Sequence, residues 1–288
     1  MKTQFVALTA TLLLVGGIRV LGRTEQKPKP TKEELEALAK ELLSGPPSMA
    51  KLFETKGEQA MTYALAGLEK CPTNYPWASE VAMIFADDRF KAKELRGRAR
   101  TEHFARCRDY LSQAVSLLAQ AQKKYPADAN FPGLEDMLRR SLALAQLETG
   151  DTAAVKLSAQ KMLSANKDVK SWDYGNVIHD ANSLLGRAAL KEGDKRAATE
   201  FLLKAGNTPG SPQLNSWGPD FTLARELLEA GEKQAVLDYL DLVAKFWAKP
   251  RAGGGWLSER VSKDNETLLN KWRTEIQAGS VPSDRNWR

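Results

Sequence analysis

Apolar side chains recur at helical spacing from residue 31 almost to the end of the chain. Almost no stretch alternates apolar and polar residues in the way that a half-buried strand does. Thr31 begins the first periodic run, and together with Glu34 it matches a capping box at the start of a helix. The pattern therefore predicts an all-α chain in which helices alternate with short breaks.

Four of these breaks share one pattern: an acid follows a glycine directly, and a small apolar residue comes two or three positions after the acid. They are TKGEQA at 55–60, ETGDTAA at 148–154, KEGDKRAA at 191–198 and EAGEKQA at 229–235. Glycine ends a helix without strain in the left-handed conformation, and the acid suits the start of the next helix. Such self-similarity predicts an array of helical hairpins.

The segment that follows residue 184 resembles the tetratricopeptide repeat. Its matching positions are Leu185-Gly186, Ala189, Gly193-Asp194, Ala198, Leu202 and Ala205, with Pro209 and Pro212 around the late proline of the family. Residues 217–248 match less fully and 136–167 less again, while 64–74 and 114–128 keep only the proline ending. The segment that begins at Gly175 also resembles poorly characterised repeat proteins of bacteria. This second resemblance implies no particular reaction.

This resemblance implies a right-handed superhelical solenoid of antiparallel helical hairpins, with about five irregular hairpins over residues 31–250. Small residues such as Gly186 and Ala198 are expected where two helices approach closely. Residues 23–30 are expected to form an extended linker because they are rich in proline and lysine. Residues 251–288 predict a hinge, a capping helix that covers the open end of the stack, and a tail.

The first 22 residues predict export. Lys2 precedes an apolar run over residues 5–18, which is short for a membrane span and suits the core of a signal peptide. One alternative is cleavage after Gly22; the other is an uncleaved anchor with Arg19 at the membrane interface. Both predict a periplasmic or envelope-associated protein that meets a membrane only through this segment.

Candidate catalytic chemistry is sparse. His179 and Asp180 are adjacent, so on a helix their side chains point about 100° apart and do not form an acid–base pair. We interpret Asn176, His179 and Asn182 as structural residues that hydrogen-bond the preceding loop to the helix start. Two histidines without ligand spacing, and no phosphate-binding loop, predict neither a metal nor a cofactor.

Cys71 and Cys107 are the only cysteines. In an exported protein they form either a disulfide or two separately buried thiols, and the second alternative is favoured because thiols pack well in helical cores. Five aromatic residues sit near hairpin ends, namely Trp172, Tyr174, Trp217, Trp247 and Trp256. If exposed they would form a platform for a ligand, but burial under the loops is the favoured alternative.

The first helix of each hairpin is expected to line a concave groove. When the chain is aligned with the tetratricopeptide repeat, the residues expected to face the groove are Asp180, Ser183 and Arg187, with Arg140 from the preceding hairpin and Arg225 from the following one. The three arginines suit an acidic side chain or a peptide carboxylate, although pairing with neighbouring acids is an equal alternative. The net charge of +6 is mild, and the basic stretch at 89–108 is expected to be a solvated face that binds no nucleic acid.

These features favour a non-catalytic scaffold or adaptor of the bacterial cell envelope that binds a protein or peptide, an acidic partner being one option. The alternative is an envelope enzyme, or a subunit associated with one, that acts on a cell-wall or polysaccharide substrate through residues 175–182. A buried His179 beside an open groove favours the first hypothesis, whereas His179, Asp180 and tryptophans around a deep pocket favour the second.

Overall fold

A computed structural model describes residues 30–72, 74–92, 95–126, 131–250, 255–283 and 287. These residues form thirteen helices and no strand, which confirms the all-α prediction. The predicted signal or anchor at 1–22 and most of the linker lie outside the described residues. Within the described part of the chain, no helix is both long and apolar enough to cross a membrane.

The helices follow one another with short connections. In chain order they are α1 (Lys32–Leu42), α2 (Met49–Phe53), α3 (Glu58–Lys70), α4 (Tyr75–Lys91), α5 (Gly97–Lys124), α6 (Phe131–Glu148), α7 (Thr152–Ala165), α8 (Tyr174–Lys191), α9 (Lys195–Gly206), α10 (Pro212–Trp217), α11 (Thr222–Glu229), α12 (Lys233–Trp247) and α13 (Gly255–Gln277). The expected last helix is α13, and it packs against α12.

The predicted helix boundaries depend on the glycine–acid breaks. Gly57, Gly150, Gly193 and Gly231 all have positive φ. Asp151 and Asp194 then cap α7 and α9, each by accepting a hydrogen bond from the backbone N–H three residues later. The predicted capping box of Thr31 and Glu34 is also present at the start of α1. Glu232 at the start of α12 makes no side-chain cap.

Helices that are neighbours in the chain pack against one another. These contacts include α3 with α4, α5 with α6, α6 with α7, α7 with α8, and α8 with α9, whereas α4 and α5 touch only weakly. Contacts also join α4 to α6, α6 to α8, and α8 to α11. This succession brings α4, α6 and α8 side by side, which is the arrangement that forms the candidate site.

Gly186 shows why small residues occupy the helix contacts. A Cβ atom there would lie 2.4 Å from Leu223 Cδ2 and 3.2 Å from the backbone oxygen of Ala198. Gly186 and Ala198 are both buried, so α8 and α9 meet where the sequence predicted close approach. A larger side chain at Gly186 would separate α8 from α9 and α11.

Three groups of buried apolar side chains follow one another along the chain. The first extends from α1 to α6, the second joins α6, α7 and α8, and the third joins α8 to α13. The third contains an aromatic cluster in which Phe221 contacts Trp247, Trp272 and Trp287 at ring-centroid distances of 5.0–5.7 Å. Trp287 thereby fixes the end of the chain against α11 and α13.

Candidate functional site

A cavity of about 560 Å³ lies between α4, α6 and α8, and we call it the central cavity. Asp136, Arg140 and Leu144 line it from α6, where their spacing of four residues puts them on one helix face. Asn176, Val177 and Asp180 line it from α8, and Arg89 lines it from α4. Trp172 lies in the loop before α8, and Gln213 of α10 completes the wall.

Much of the lining is apolar and adaptable. Met83, Met137 and Met162 come from three different helices, and methionine side chains adjust readily to the shape of a bound group. Met83 is 60% exposed and Trp172 is 61% exposed. Large apolar side chains left open to solvent around a cavity are typical of a binding site.

A small cleft of about 20 Å³ adjoins the central cavity and shares Arg140, Leu144 and Asp180 with it. Ser183 and Arg187 also line this cleft. The structure therefore brings together four of the five predicted groove residues. Arg225 lies on α11 and lines neither of these two spaces.

The arginines predicted to hold an acidic partner are engaged within the chain. Arg140 Nε lies 3.0 Å from Asp180 Oδ2. Arg187 donates two hydrogen bonds to Glu226 of α11, at 2.8 Å from Nη2 and 3.0 Å from Nε. Arg225 Nε lies 3.8 Å from Glu229 on its own helix and is buried without a hydrogen-bond partner among the described residues. Each of the three arginines thus has an acid of the chain within 4 Å, and their binding of an acidic partner stays a prediction.

The pKa values of Arg187 and Asp220 beside the cleft indicate that both side chains stay ionised, as members of a network of opposite charges. Burial alone would lower the pKa of Arg187, but the charge and hydrogen bonds of Glu226 reverse this and raise it. Burial alone would raise the pKa of Asp220, but the hydroxyl and backbone N–H of Thr222, with Arg140 and Arg187, bring it to about 2. These charges therefore satisfy one another across α6, α8 and α11.

His179 is fully buried and belongs to this network through Asp180. Its Nδ1 lies 3.3 Å from Asp180 Oδ1 and its Nε2 lies 2.9 Å from the Tyr239 hydroxyl. The expectation that the adjacent His179 and Asp180 side chains do not pair is therefore wrong. In the tautomer with its proton on Nδ1, the ring donates to Asp180, which only accepts, and Nε2 accepts from Tyr239. Burial, followed by the charges of Asp220 and Asp180, raises the pKa of Tyr239, which keeps its hydroxyl protonated.

The other polar residues near the start of α8 bind a later loop. Asn176 donates to Gln213 at 3.1 Å and accepts from the Ser211 hydroxyl at 2.6 Å. Asn182 donates to the backbone oxygen of Ile178 within α8. Together with the contact of His179 to Tyr239, these bonds tie α8 to α10 and α12. These residues do make hydrogen bonds, but among the described residues their partners lie on α8, α10 and α12 and in the loop before α10. The prediction that they tie the preceding loop to the start of α8 is therefore wrong.

A close backbone contact accompanies these bonds. Gly175 of α8 faces Gly210, and a Cβ atom on Gly175 would lie 2.0 Å from the Gly210 oxygen. The Thr208 hydroxyl donates to the Gly175 oxygen at 3.1 Å. The glycine- and proline-rich loop between α9 and α10 therefore folds over the start of α8 and helps to place Gln213 at the central cavity.

Asp136 is the site residue that sequence analysis did not find. It lines the central cavity with Asp173, the residue just before α8. Burial, and then the charges of Asp173 and Glu135, raise the pKa of Asp136 to about 7 against the opposing charge of Arg139. The spacing of Asp136 and Arg140 on one helix face was the only signal in the sequence.

Two further expectations concern exposed rings and thiols. Trp247 is buried as expected, with 3% of its surface exposed, but Trp172, Trp217 and Trp256 are 61%, 84% and 71% exposed, so the expectation is wrong for these three rings. Cys71 and Cys107 form no disulfide, and Cys107 is buried with its Sγ 3.6 Å from His103 Nε2. The favoured alternative of two separate thiols is thus the one observed.

Several arginines of the basic stretch at 89–108 form ion pairs within the chain. Arg100 pairs with Glu148, Arg106 with Glu58, and Arg98 with Glu102. Among the described residues, no three His, Cys, Asp or Glu side chains come together in a metal-binding arrangement.

Neither a scan against protein-family models nor a search of curated proteins gives a match for this chain. Function is therefore argued from the geometry of the central cavity.

Proposed function

We propose that the protein is a non-catalytic scaffold or adaptor of the bacterial cell envelope, built as a tetratricopeptide-like right-handed solenoid. The first helices of successive pairs would line its concave side, and a partner protein or peptide would bind there. The observation that carries this proposal is the central cavity, which α4, α6 and α8 line together and which leaves Met83 and Trp172 open to solvent.

The surroundings of His179 support binding over catalysis. A general base must reach the substrate directly or through one water, and the His179 ring is 0% exposed with both nitrogens engaged. Asp180 is likewise held by Arg140 and His179. The central cavity thus presents charged groups that hold the wall in shape, together with apolar groups that favour a peptide side chain.

Site-specific photocrosslinking in living cells tests the proposal. A photoreactive phenylalanine analogue at position 83 or 172 of the full chain is expected to give discrete protein adducts upon irradiation. The matched control is the same analogue at Leu157 of α7, which is 55% exposed but does not line the central cavity. Absence of adducts at positions 83 and 172, or identical adducts from position 157, would reject the proposed binding site.

A further inference from the structure

The charged side chains on the wall of the central cavity do not cancel one another. Arg140 is paired with Asp180. Burial and the charges of Arg140 and Arg187 lower the pKa of Arg89, against the opposing charges of Asp220 and Glu148, and Arg89 forms no ion pair with a described acid. The wall thus carries two cations, Arg89 and Arg140, against the three carboxylates of Asp136, Asp173 and Asp180, so its net charge is negative once Asp136 is ionised.

Asp136 and Asp173 differ from Asp180. Among the described residues, no lysine or arginine forms an ion pair with either carboxylate, and the nearest cation in sequence, Arg139, is bound to Glu135 at 2.6 Å. Asp173 accepts a hydrogen bond from the Ser171 hydroxyl, which leaves its charge uncompensated. Two carboxylates thus share one cavity wall without a cation between them.

We infer that the central cavity docks a peptide segment in which a lysine or arginine lies beside a large apolar side chain. The inference rests on the proposed function and specifies its ligand. The cation would bind between Asp136 and Asp173, and the apolar side chain would enter among Met83, Met137 and Trp172.

Three physical features support this occupant. A cation between the two carboxylates forms charge-assisted hydrogen bonds and removes their mutual repulsion. Trp172 lies on the cavity wall, directly before Asp173 in the chain, and is 61% exposed, and an aromatic ring near the site favours a cation. The methionines provide an apolar surface that accepts side chains of different shapes, so the charge is the more selective part of the contact.

The protonation of Asp136 is expected to make binding of the basic segment depend on pH. Burial and the charges of Asp173 and Glu135 raise the pKa of Asp136 to about 7, and the charge of Arg139 opposes this rise. The other charged groups on the cavity wall are Arg89, Arg140, Asp173 and Asp180. A bound cation favours the ionised form of Asp136. Binding of a basic segment is therefore expected to strengthen between pH 6 and pH 8, whereas binding of a neutral segment is not.

A display library of random dodecapeptides, selected on the full chain, tests the inference. Counter-selection against Trp172→Ala retains only peptides that need the central cavity. The retained peptides are expected to place lysine or arginine next to leucine, methionine, phenylalanine or tryptophan. Replacing that basic residue by glutamine in a synthetic copy is expected to weaken binding about tenfold, as measured by fluorescence anisotropy at pH 8.

The double variant Asp136→Asn/Asp173→Asn provides the matched test of the charge. It should lose the tenfold preference for the basic peptide while binding the glutamine copy as the parent protein does. The control, Asp238→Asn/Asp264→Asn, changes two exposed carboxylates on other helices and should keep the preference.

The outcomes separate the inference from the proposed function. Retained peptides without a basic preference, or with an acidic one, reject the inference and leave cavity binding intact. No retained peptide at all, together with no photocrosslinked adduct from positions 83 and 172, rejects both.

Discussion

At the scale of single residues, the hydrogen-bonded chain from Tyr239 through His179 to Asp180 joins the core to the wall of the central cavity. Tyr239 and His179 are fully buried, so water does not replace a missing partner. Asp180 is the last member of the chain and also receives Arg140 at 3.0 Å. The orientation of Arg140 in the cavity therefore depends on a tyrosine that lies 60 residues after His179.

Tyr239→Phe is expected to destabilise the fold. The substitution leaves Nε2 of His179 without its donor, and an unsatisfied buried polar atom costs about 1–3 kcal/mol. Urea unfolding followed by circular dichroism measures the change. Tyr125→Phe removes a hydroxyl from a ring that is 40% exposed and should have no measurable effect. Equal stability of Tyr239→Phe and the parent protein would contradict the buried hydrogen bond.

Asp136 gives the stability a pH dependence of defined sign. Its native pKa of about 7 lies above the ordinary value of an aspartate, so between about pH 4 and pH 7 the native state keeps a proton that the unfolded state loses. The free energy of unfolding should therefore fall as pH rises through this range and then level off. Asp220, with a native pKa of about 2, contributes the opposite slope only below about pH 4.

Asp136→Asn is expected to remove the decline, so that the variant exceeds the parent protein in thermal stability at pH 8 and loses this advantage near pH 4. Thermal unfolding monitored across this pH range makes the comparison. Asp264→Asn, with a carboxylate that is 73% exposed, is the control and should follow the parent protein. Parallel curves for Asp136→Asn and the parent protein would show that Asp136 ionises normally.

At the scale of elements, the contact between α8 and the loop before α10 is unusually close. Gly175→Ala would put a Cβ atom 2.0 Å from the Gly210 oxygen, so the loop must move away. We expect a net loss of about 1–3 kcal/mol in urea unfolding, because overpacking outweighs the better helix propensity of alanine. The hydrogen bond from Thr208 to the Gly175 oxygen would be strained at the same time.

The control for Gly175→Ala is Gly45→Ala, where the nearest atom to an added Cβ is Lys51 Nζ at 3.9 Å. Unchanged stability in both variants would mean that the loop before α10 does not rest on α8.

The elements could be predicted from the sequence because their signals are local. Helical spacing, the capping residues Asp151 and Asp194, and the left-handed Gly150 and Gly193 each act within a few residues. The central cavity could be predicted only in part. Arg140 and Asp180 were predicted from the resemblance to the tetratricopeptide repeat, whereas the raised pKa of Asp136 depends on Asp173, which lies 37 residues later, just before a different helix. Exposure of Trp172 likewise depends on which loops cover the ring.

At the scale of the whole molecule, the order of helix contacts determines how a local change spreads. The buried side chains of α1–α6 and those of α8–α13 belong to different clusters, with α6, α7 and α8 between them. In the solenoid that we propose, each repeat contacts mainly its neighbours, and stability is close to a sum of local terms. A change at one end should therefore weaken that end first.

Trp287→Ala tests this expectation. Trp287 is 1% exposed and lies 5.3 Å from Phe221 and 5.1 Å from Trp272 between ring centroids, so its removal leaves a large cavity at the end of the stack. Hydrogen exchange followed by mass spectrometry is expected to show loss of protection in α11, α12 and α13. Protection in α3 and α5 should stay at the level of the parent protein.

Trp217→Ala, which removes a ring that is 84% exposed, is the control and should leave exchange unchanged throughout. An equal loss of protection from α3 to α13 in Trp287→Ala would mean that the chain unfolds as one cooperative unit, contrary to a stack of pairs. A loss confined to the last helices would mean that α4, α6 and α8 keep their positions while the end opens. The apolar part of the central cavity would then remain formed, whereas Arg140 would lose the support that reaches it from Tyr239 of α12 through His179 and Asp180.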